Sequence, residues 1–402
     1  MNLKKLSIKT LLILFACLIS GCGRIQVPSD ATVITNGTLI DGRGGEPVVG
    51  GLVVVKDGKI WGLGKEEKFK LPKGVQVYDA KKGYILPGLI DTHVHISNAK
   101  SMEPFMLAGV TTVRDLGGPT GIMLARKWTR SPVEPRLLIA GPIITVPGGY
   151  PIPAWGDKVA KTITNPRDAE IVVEGLIEDG VDVIKVAITE GMDKEAWPTL
   201  SMEEIKAITA TAHKHGVKVV AHILRAKDAR RAIEGGVDQL GHDVIDELPQ
   251  DLIMTMVEKH IVLIPTLNIL LHEVEDSSQF SEQQLKEAKE NLLLNVKRFS
   301  AMGGCVALGN DYGVVGIAMG LPLEELLSLQ EAGLTPTEVI SAATQNAAQA
   351  IGKQNEIGTL EPGKSADILI TARDPLHELH NLSSVKGVLF KGEVEFWKQN
   401  AN

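Results

Sequence analysis

Short apolar runs rich in β-branched residues recur along the chain at Tyr84–His95, Val110–Val113, Leu137–Ala140, Val181–Val186, Val217–Ile223, Val237–His242, Ile261–Pro265 and Cys305–Gly309. Runs of this kind predict strands. The stretches between them carry helix-start signals. Ser201 with Glu204 forms a capping box, and Thr335 with Glu338 forms another, with Pro336 at the first helical position. Eight strands alternating with helices predict an α/β fold, a parallel (β/α)8 TIM-like barrel over residues 84–355, because parallel neighbours need crossover helices. Functional groups then belong at the C-terminal ends of the strands.

The flanks follow a different pattern. Residues 31–83 hold short strand runs parted by turn pairs such as Asp41-Gly42 and Asp57-Gly58, and residues 356–398 end in Val385–Phe390, a Lys391-Gly392 turn and Val394-Glu-Phe. Neither flank can bury a core alone, so the two are expected to pair as a small β-sandwich domain, discontinuous in sequence.

Residues 1–21 read as a signal peptide: Lys4 and Lys5 supply the positive region and Leu11–Ile19 a short apolar run. A spanning helix needs ~20 apolar residues, which this run lacks. It ends in Ile19-Ser-Gly-Cys22, similar to the lipobox of bacterial lipoproteins, so Cys22 is expected to be lipidated and the protein to be exported and lipid-anchored in the cell envelope. The alternative is an ordinary secretory signal with Cys22 incidental. Beyond Cys17 and Cys22 only Cys305 remains, so no disulfide framework is expected.

Composition narrows the field further. With 402 residues, 44% hydrophobic and 23% charged, the chain is long and apolar enough for a large domain and a smaller one, which excludes disorder. Removing the three lysines of the signal leaves 39 positive against 49 negative charges, a net of −10. Such an acidic body has no footprint for nucleic acid. The membrane is expected to be met through the lipid anchor only.

Candidate chemistry sits where the strands end. His93 and His95 are two residues apart on a strand, so both rings face one side and can grip one metal. The similar pair His213 and His215 lies on a helical stretch, where two residues span about 200°, and is expected to serve solvation or helix-end electrostatics. His222 and His242 end the fifth and sixth runs, Asp311 follows the eighth, and Lys185 lies inside the fourth between Ile184 and Val186. A buried lysine is costly unless its charge is removed or paired. Alone, Lys185 could pair with a carboxylate, and a single histidine could be a hydrogen-bonded core residue. So many ligand-type groups at strand ends point instead to one site. His260, His272, His377 and His380 lack this placement and are read as surface or loop residues.

These motifs, with Leu86–His95, Gly109–Gly117, Val183–Val186, Ala221-His222, Gly241-His242, Leu308–Asp311 and Gly358–Asp367, resemble the amidohydrolase superfamily of metal-dependent hydrolases, closest to its imidazolonepropionase and Xaa-Pro dipeptidase (prolidase) branch. The resemblance implies two divalent metal ions, with zinc the expected metal. His93, His95 and Asp311 would hold the more buried one and His222 and His242 the other, bridged by a carbamate formed between Lys185 and carbon dioxide. It implies a hydroxide between the metals that attacks a substrate carbonyl, with catalytic Asp311 moving the proton.

The implied activity is hydrolysis of a C–N (amide) bond in a small molecule or an Xaa-Pro-like dipeptide. A cyclic amide or a lactone is the alternative substrate, and a catalytically inactive lipid-anchored binding protein the alternative from another class. Gly148-Gly149-Tyr150 stands where dipeptidase-type members often show Gly-Gly-His, and Asn310-Asp311-Tyr312 replaces the more usual Thr-Asp-Ala. The loop around Tyr150 either walls an apolar substrate or packs on its neighbours. Arg225, three residues past His222, either receives a substrate carboxylate, as Tyr150 could, or covers the rim.

Overall fold

The computed structural model describes residues 23–129, 131–191, 196–275, 280–314 and 316–398. The signal and Cys22 lie outside the described residues. Among those described, no helix is long and apolar enough to cross a membrane.

The fold is mixed α/β with parallel sheets. One parallel sheet has three strands (Leu89–Val94, Val110–Asp115 and Arg136–Ile139). Another has seven, running from Ala160–Thr162 through Ile143–Thr145, Ile184–Ala187, Val219–His222, Gln239–Gly241 and Val262–Ile264 to Cys305–Val306. Every residue of Leu89–Val94, Val110–Asp115 and Ile184–Ala187 is buried, as expected for strands covered on both faces. Each apolar run of the sequence has become one of these strands, and the helices between them begin at the expected caps. Ser201 Oγ accepts from Glu204 N at 3.2 Å while Glu204 Oε2 accepts from Ser201 N at 2.7 Å, opening Met202–Lys214. Thr335 and Glu338 repeat the box at the start of Pro336–Ala342.

One expectation is corrected. Tyr84–His95 reads as a single strand in the sequence, but the structure divides it at Gly88 into Tyr84–Pro87 and Leu89–Val94, which lie in different sheets. A Cβ at Gly88 would stand 2.3 Å from Thr111 Oγ1, so only glycine lets the chain pass from one sheet into the other so close to its neighbour.

Tyr84–Pro87 joins an eight-stranded sheet built from both ends of the chain. It pairs antiparallel with Ile368–Thr371 and parallel with Thr32–Leu39. The hairpin between Val48–Lys56 and Lys59–Lys65 turns at Asp57-Gly58, where φ is 51° and 74°, as a two-residue hairpin of the primed type requires. Ile34, Val53, Ile85, Ile368 and Leu389 pack one face of this sheet; Val33, Leu52, Val54 and Phe69 pack the other.

Asp367 ties the sheet to the parallel core. Its Oδ2 accepts from Arg136 Nη1 at 2.8 Å, and its Oδ1 accepts from Ser365 Oγ at 2.7 Å and Lys391 N at 2.9 Å. Removing a partner from such a shielded pair strands the other charge. Asp367→Ala should therefore cost about 2–4 kcal/mol of stability in urea unfolding. A loss below about 0.5 kcal/mol, the scale of an ordinary surface change, would show the clasp to be dispensable.

Candidate metal centre

The ends of the parallel strands bring together the ligand-type residues read from the sequence. His93 lies inside Leu89–Val94 and His95 one residue past its end, so the alternation of the strand turns both rings to one side, 5.4 Å apart. Asp311 Oδ1 stands 3.2 Å from His93 Nε2 and 3.1 Å from His95 Nε2, and ligand atoms of the three residues all lie within 4.8 Å of one another. His242 brings its ring 4.7 Å from that of His93, and His222 lies 4.5 Å beyond His242.

Backbone contacts deliver this convergence. Asp91 Oδ1 accepts from His93 N and Asn310 N, and Asp311 N donates to His93 O at 2.9 Å, so the segment after Cys305–Val306 is bonded directly to the strand carrying His93. Gly309 permits the approach, because a Cβ there would meet the His93 Cβ at 2.6 Å. His242 is turned by its Nδ1, 2.7 Å from Thr266 Oγ1, and His95 by its Nδ1, 3.3 Å from the Gly117 carbonyl. Holding one ring nitrogen in this way aims the other at the centre.

Lys185 is buried among these residues, 1% exposed, and among the described residues its Nζ has no hydrogen-bond partner. Gly241 leaves it room, since a Cβ there would come within 2.8 Å of Nζ. Burial pushes the Lys185 amine down to about 7, with Asp311 acting in the opposite direction. Burial, reinforced by the Lys185 charge, holds His93 and His222 well below 6.5; for His242 the order is burial, then His222, then Lys185. These rings are unprotonated at neutral pH, the form that binds metal. Burial also acts to lower His95, but the adjacent Asp311 carboxylate outweighs it and the His95 pKa is raised. His93 Nδ1 and Nε2, His222 Nε2 and Asp311 Oδ1 are buried without a hydrogen bond, although Asp311 Oδ1 stands within ion-pair distance of two rings. Atoms packed this closely yet not bonded to one another suit a shared cation at their centre.

Tyr150 stacks on His222, with centroids 4.0 Å apart and planes 15° from parallel. Arg225 lies at the rim and is engaged by Asp246, Nη1 to Oδ1 at 2.8 Å. His213 bonds Asp238 at 2.9 Å near the end of its helix, away from the cluster, and His260, His272, His377 and His380 are exposed.

The sequence reading missed several groups around the centre. Arg114 is fully buried beneath it, donating to Thr92 O at 2.8 Å and Gln239 Oε1 at 2.9 Å. Asp91 shares the strand face of His93 and His95, a two-residue alternation that could have flagged it. Behind His242, Asp243 and Glu325 are buried with Asp243 Oδ2 and Glu325 Oε1 unpartnered, and burial pushes the Glu325 carboxyl up to about 8. That pairing of distant segments leaves no local trace in the sequence.

The Amidohydrolase family model matches residues 84–395. The chain belongs to the amidohydrolase family. It is therefore a metal-dependent hydrolase acting on carbon–nitrogen bonds, and the family generally binds divalent metals. Ochratoxinase of Aspergillus niger is 25% identical, covering 92% of this chain and 89% of its own. Imidazolonepropionase of Symbiobacterium thermophilum is 25% identical over 87% of this chain and 92% of its own. The structure of a putative prolidase from Bifidobacterium longum superposes with a TM-score of 0.80 at 26% identity, covering 93% of this chain and 97% of that one.

Glu325 keeps its proton in the folded amidohydrolase up to about pH 8, whereas the unfolded chain releases it near 4.5. Stability contributed by holding that proton is present at low pH and lost as pH rises between the two values. Glu325→Gln, which cannot ionise, should melt roughly 2–5 °C above the parent at pH 8 and close to it at pH 5. A difference that does not grow with pH would refute the buried neutral carboxyl.

Proposed function

We propose that this amidohydrolase is a binuclear metal enzyme that cleaves the amide bond of a small dipeptide-like substrate. Lys185 carries the reading: an amine with a pKa of about 7, buried among unprotonated imidazoles, is poised to react with carbon dioxide. The free amine attacks the carbon, a C–N bond forms, and a proton leaves to solvent. The resulting carbamate replaces a buried cation with a two-oxygen anion, which His222 and His242 need if they are to hold a second cation beside the one between His93, His95 and Asp311.

Zinc would suit this donor set of imidazoles and carboxylates, and a pair of such ions would supply an acidified water and polarise a carbonyl. Asp311 takes the proton of the attacking water and returns it to the leaving nitrogen, so that an N–H bond forms as the C–N bond breaks and a carboxylic acid and an amine depart. The dipeptide is favoured over a cyclic amide or lactone by likeness to prolidase structures, among them a Xaa-Pro dipeptidase with bound methionine in the active site, 22% identical with a TM-score of 0.78 over 91% of this chain and 99% of that one. An inactive binding protein would have no use for so complete a donor set.

We further read the two parallel sheets as one closed (β/α)8 barrel over residues 84–355, with 31–83 and 356–398 as the second domain. Supporting closure, Thr92 N donates to Leu308 O at 3.0 Å across the first and last strands, and Asp182 N to Ile139 O at 2.8 Å across the third and fourth. Residues 1–21 are read as a signal and Cys22 as the lipidated residue of an exported protein.

Two experiments test these readings. Lys185→Ala should retain close to one metal per chain where the parent holds two and lose most turnover, with short carboxylates in the buffer restoring part of both. Equal metal content in the two proteins by elemental analysis would make Lys185 an ordinary buried lysine. Separately, Cys22→Ser should move the protein from the membrane fraction to the soluble fraction with activity intact. An unchanged partition would remove the lipid anchor.

A further inference from the structure

The parallel strands end at the ligand cluster, and a cavity lies at their other end. It measures about 250 Å³ and is lined by Arg114, by Asp182 and Val183 just before the strand Ile184–Ala187, by Lys218 just before Val219–His222, and by Gly352 and Lys353 after the helix Gln345–Ala350. A Cβ on Gly352 would meet no atom within 4 Å, so the space beside it is open. Contacts at the end of that helix place two of the cations side by side. Lys218 Nζ donates to Gln349 O at 3.0 Å, while Arg114 Nη2 donates to Gln239 Oε1 at 2.9 Å and Gln239 Nε2 to Ala350 O, the next carbonyl, at 2.6 Å.

The charges around this cavity are not matched by partners. Arg114 is 1% exposed, its Nε and Nη2 donate to the neutral acceptors Thr92 O and Gln239 Oε1, and among the described residues its Nη1 has no partner. Neither Arg114 nor Lys218 forms an ion pair among the described residues. Lys353 bonds Glu356 Oε1 at 2.9 Å in a pair open to solvent, a kind that contributes little. Asp182, the carboxylate of the lining, is engaged elsewhere: its Oδ2 accepts from Lys127 Nζ at 2.7 Å and from Ile139 N at 2.8 Å. Burial lowers the Lys218 pKa, Asp238 opposes it and the Arg114 charge adds to it, so the two cations act on each other. Asp238 in turn is held by His213 Nε2 at 2.9 Å and Val219 N at 2.7 Å. A buried guanidinium without a carboxylate is costly unless an anion reaches it, and a guanidinium with ammonium groups around it matches the oxygens of a tetrahedral oxyanion.

We propose that this cavity binds a small oxyanion, an inorganic phosphate or the phosphate group of a small ester, with Arg114 as its inner ligand and Lys218 and Lys353 at its edge. The volume, below the roughly 300–1,000 Å³ of pockets for drug-sized molecules, suits an ion with its first waters. Bound there, the anion offsets the charge of the guanidinium that ties Thr92, the neighbour of His93, to the strand Gln239–Gly241 leading into His242. It thereby braces the metal centre from the end of the strands away from the ligands. The proposal is independent of which C–N bond the enzyme cleaves.

Isothermal titration of the full-length, metal-loaded protein with phosphate, in chloride at constant ionic strength, should give a Kd below about 1 mM, and phosphate should raise Tm. Lys218→Met should weaken that binding about tenfold or more, as loss of a charge-assisted bond predicts. Lys218→Arg should keep most of it, and Lys286→Gln, on the long helix Glu282–Ala301, should keep all of it. Glycerol phosphate measured beside inorganic phosphate separates the two sources: where Lys218→Met weakens both, the tighter of the two in the parent names the ligand.

Arg114 also ties strands together, so the ion is located directly rather than by replacing that residue. Selenate, a tetrahedral oxyanion visible by anomalous scattering, should lie within hydrogen-bond distance of Arg114 Nη1 and Lys218 Nζ in crystals of the parent. If phosphate binds the parent and Lys218→Met alike, the ion sits elsewhere and the proposal falls. It falls equally if the parent binds phosphate more weakly than about 1 mM, an adventitious ion only, or if selenate scatters from the ligand cluster and not from this cavity.

Discussion

An ammonium group buried without a hydrogen bond among imidazoles is an arrangement that folding opposes, and the surroundings of Lys185 are shaped by that cost. Taking an isolated charge out of water costs several kcal/mol even after relaxation, so a group in this position sheds its proton or finds an anion. Among the described residues no group hydrogen-bonds Nζ; Gly241 leaves space beside the amine, and burial, reinforced by the lysine's own charge, keeps His93 and His222 unprotonated. Lys185 in turn lowers the proton affinity of His93, His222 and His242. A cluster of lone pairs results, the arrangement into which cations can bind.

The layers around that cluster divide the work. Below it, Arg114 bridges Thr92 O to Gln239, and Gln239 Nε2 reaches Ala350 O at 2.6 Å, so one buried guanidinium ties the first strand to the sixth and to the last helix. Burial lowers its pKa to about 9, still charged at neutral pH, and its charge adds to the causes that keep His93 unprotonated. Above the cluster Tyr150, Trp155 and His222 meet ring against ring, and Arg225 at the rim is held by Asp246.

How much of this was legible follows from the range of each signal. His93 and His95 could be read because strand alternation acts over two residues, and His222, His242 and Asp311 because each follows a run whose end is visible. The capping boxes at Ser201 and Thr335 were legible because both partners lie within three residues. The break at Gly88 was not, since its reason is Thr111, more than twenty residues away. Arg225 was read either as receiving a substrate carboxylate or as covering the rim; its partner Asp246 belongs to the next loop, so the sequence could offer a free guanidinium where the structure has an ion pair.

The precision of the centre depends on backbone strain held in place. His242, Thr266 and Asp311 all have positive φ, at 142°, 48° and 59°, in regions that cost side-chain-bearing residues about 1–3 kcal/mol each. Every one of them is pinned by a bond that does not use a ligand atom: Asp311 through its N–H to His93 O, Thr266 through its hydroxyl to the ring of His242, and His242 through its Nδ1, with the Asp243 N–H bonded to Pro265 O beside it. Were the ligand atoms themselves the fastenings, a cation would have to break those bonds to bind. Here the strain is carried by the main chain and the far side of the rings, so the lone pairs that face the centre remain free, and the geometry a metal needs exists before it arrives.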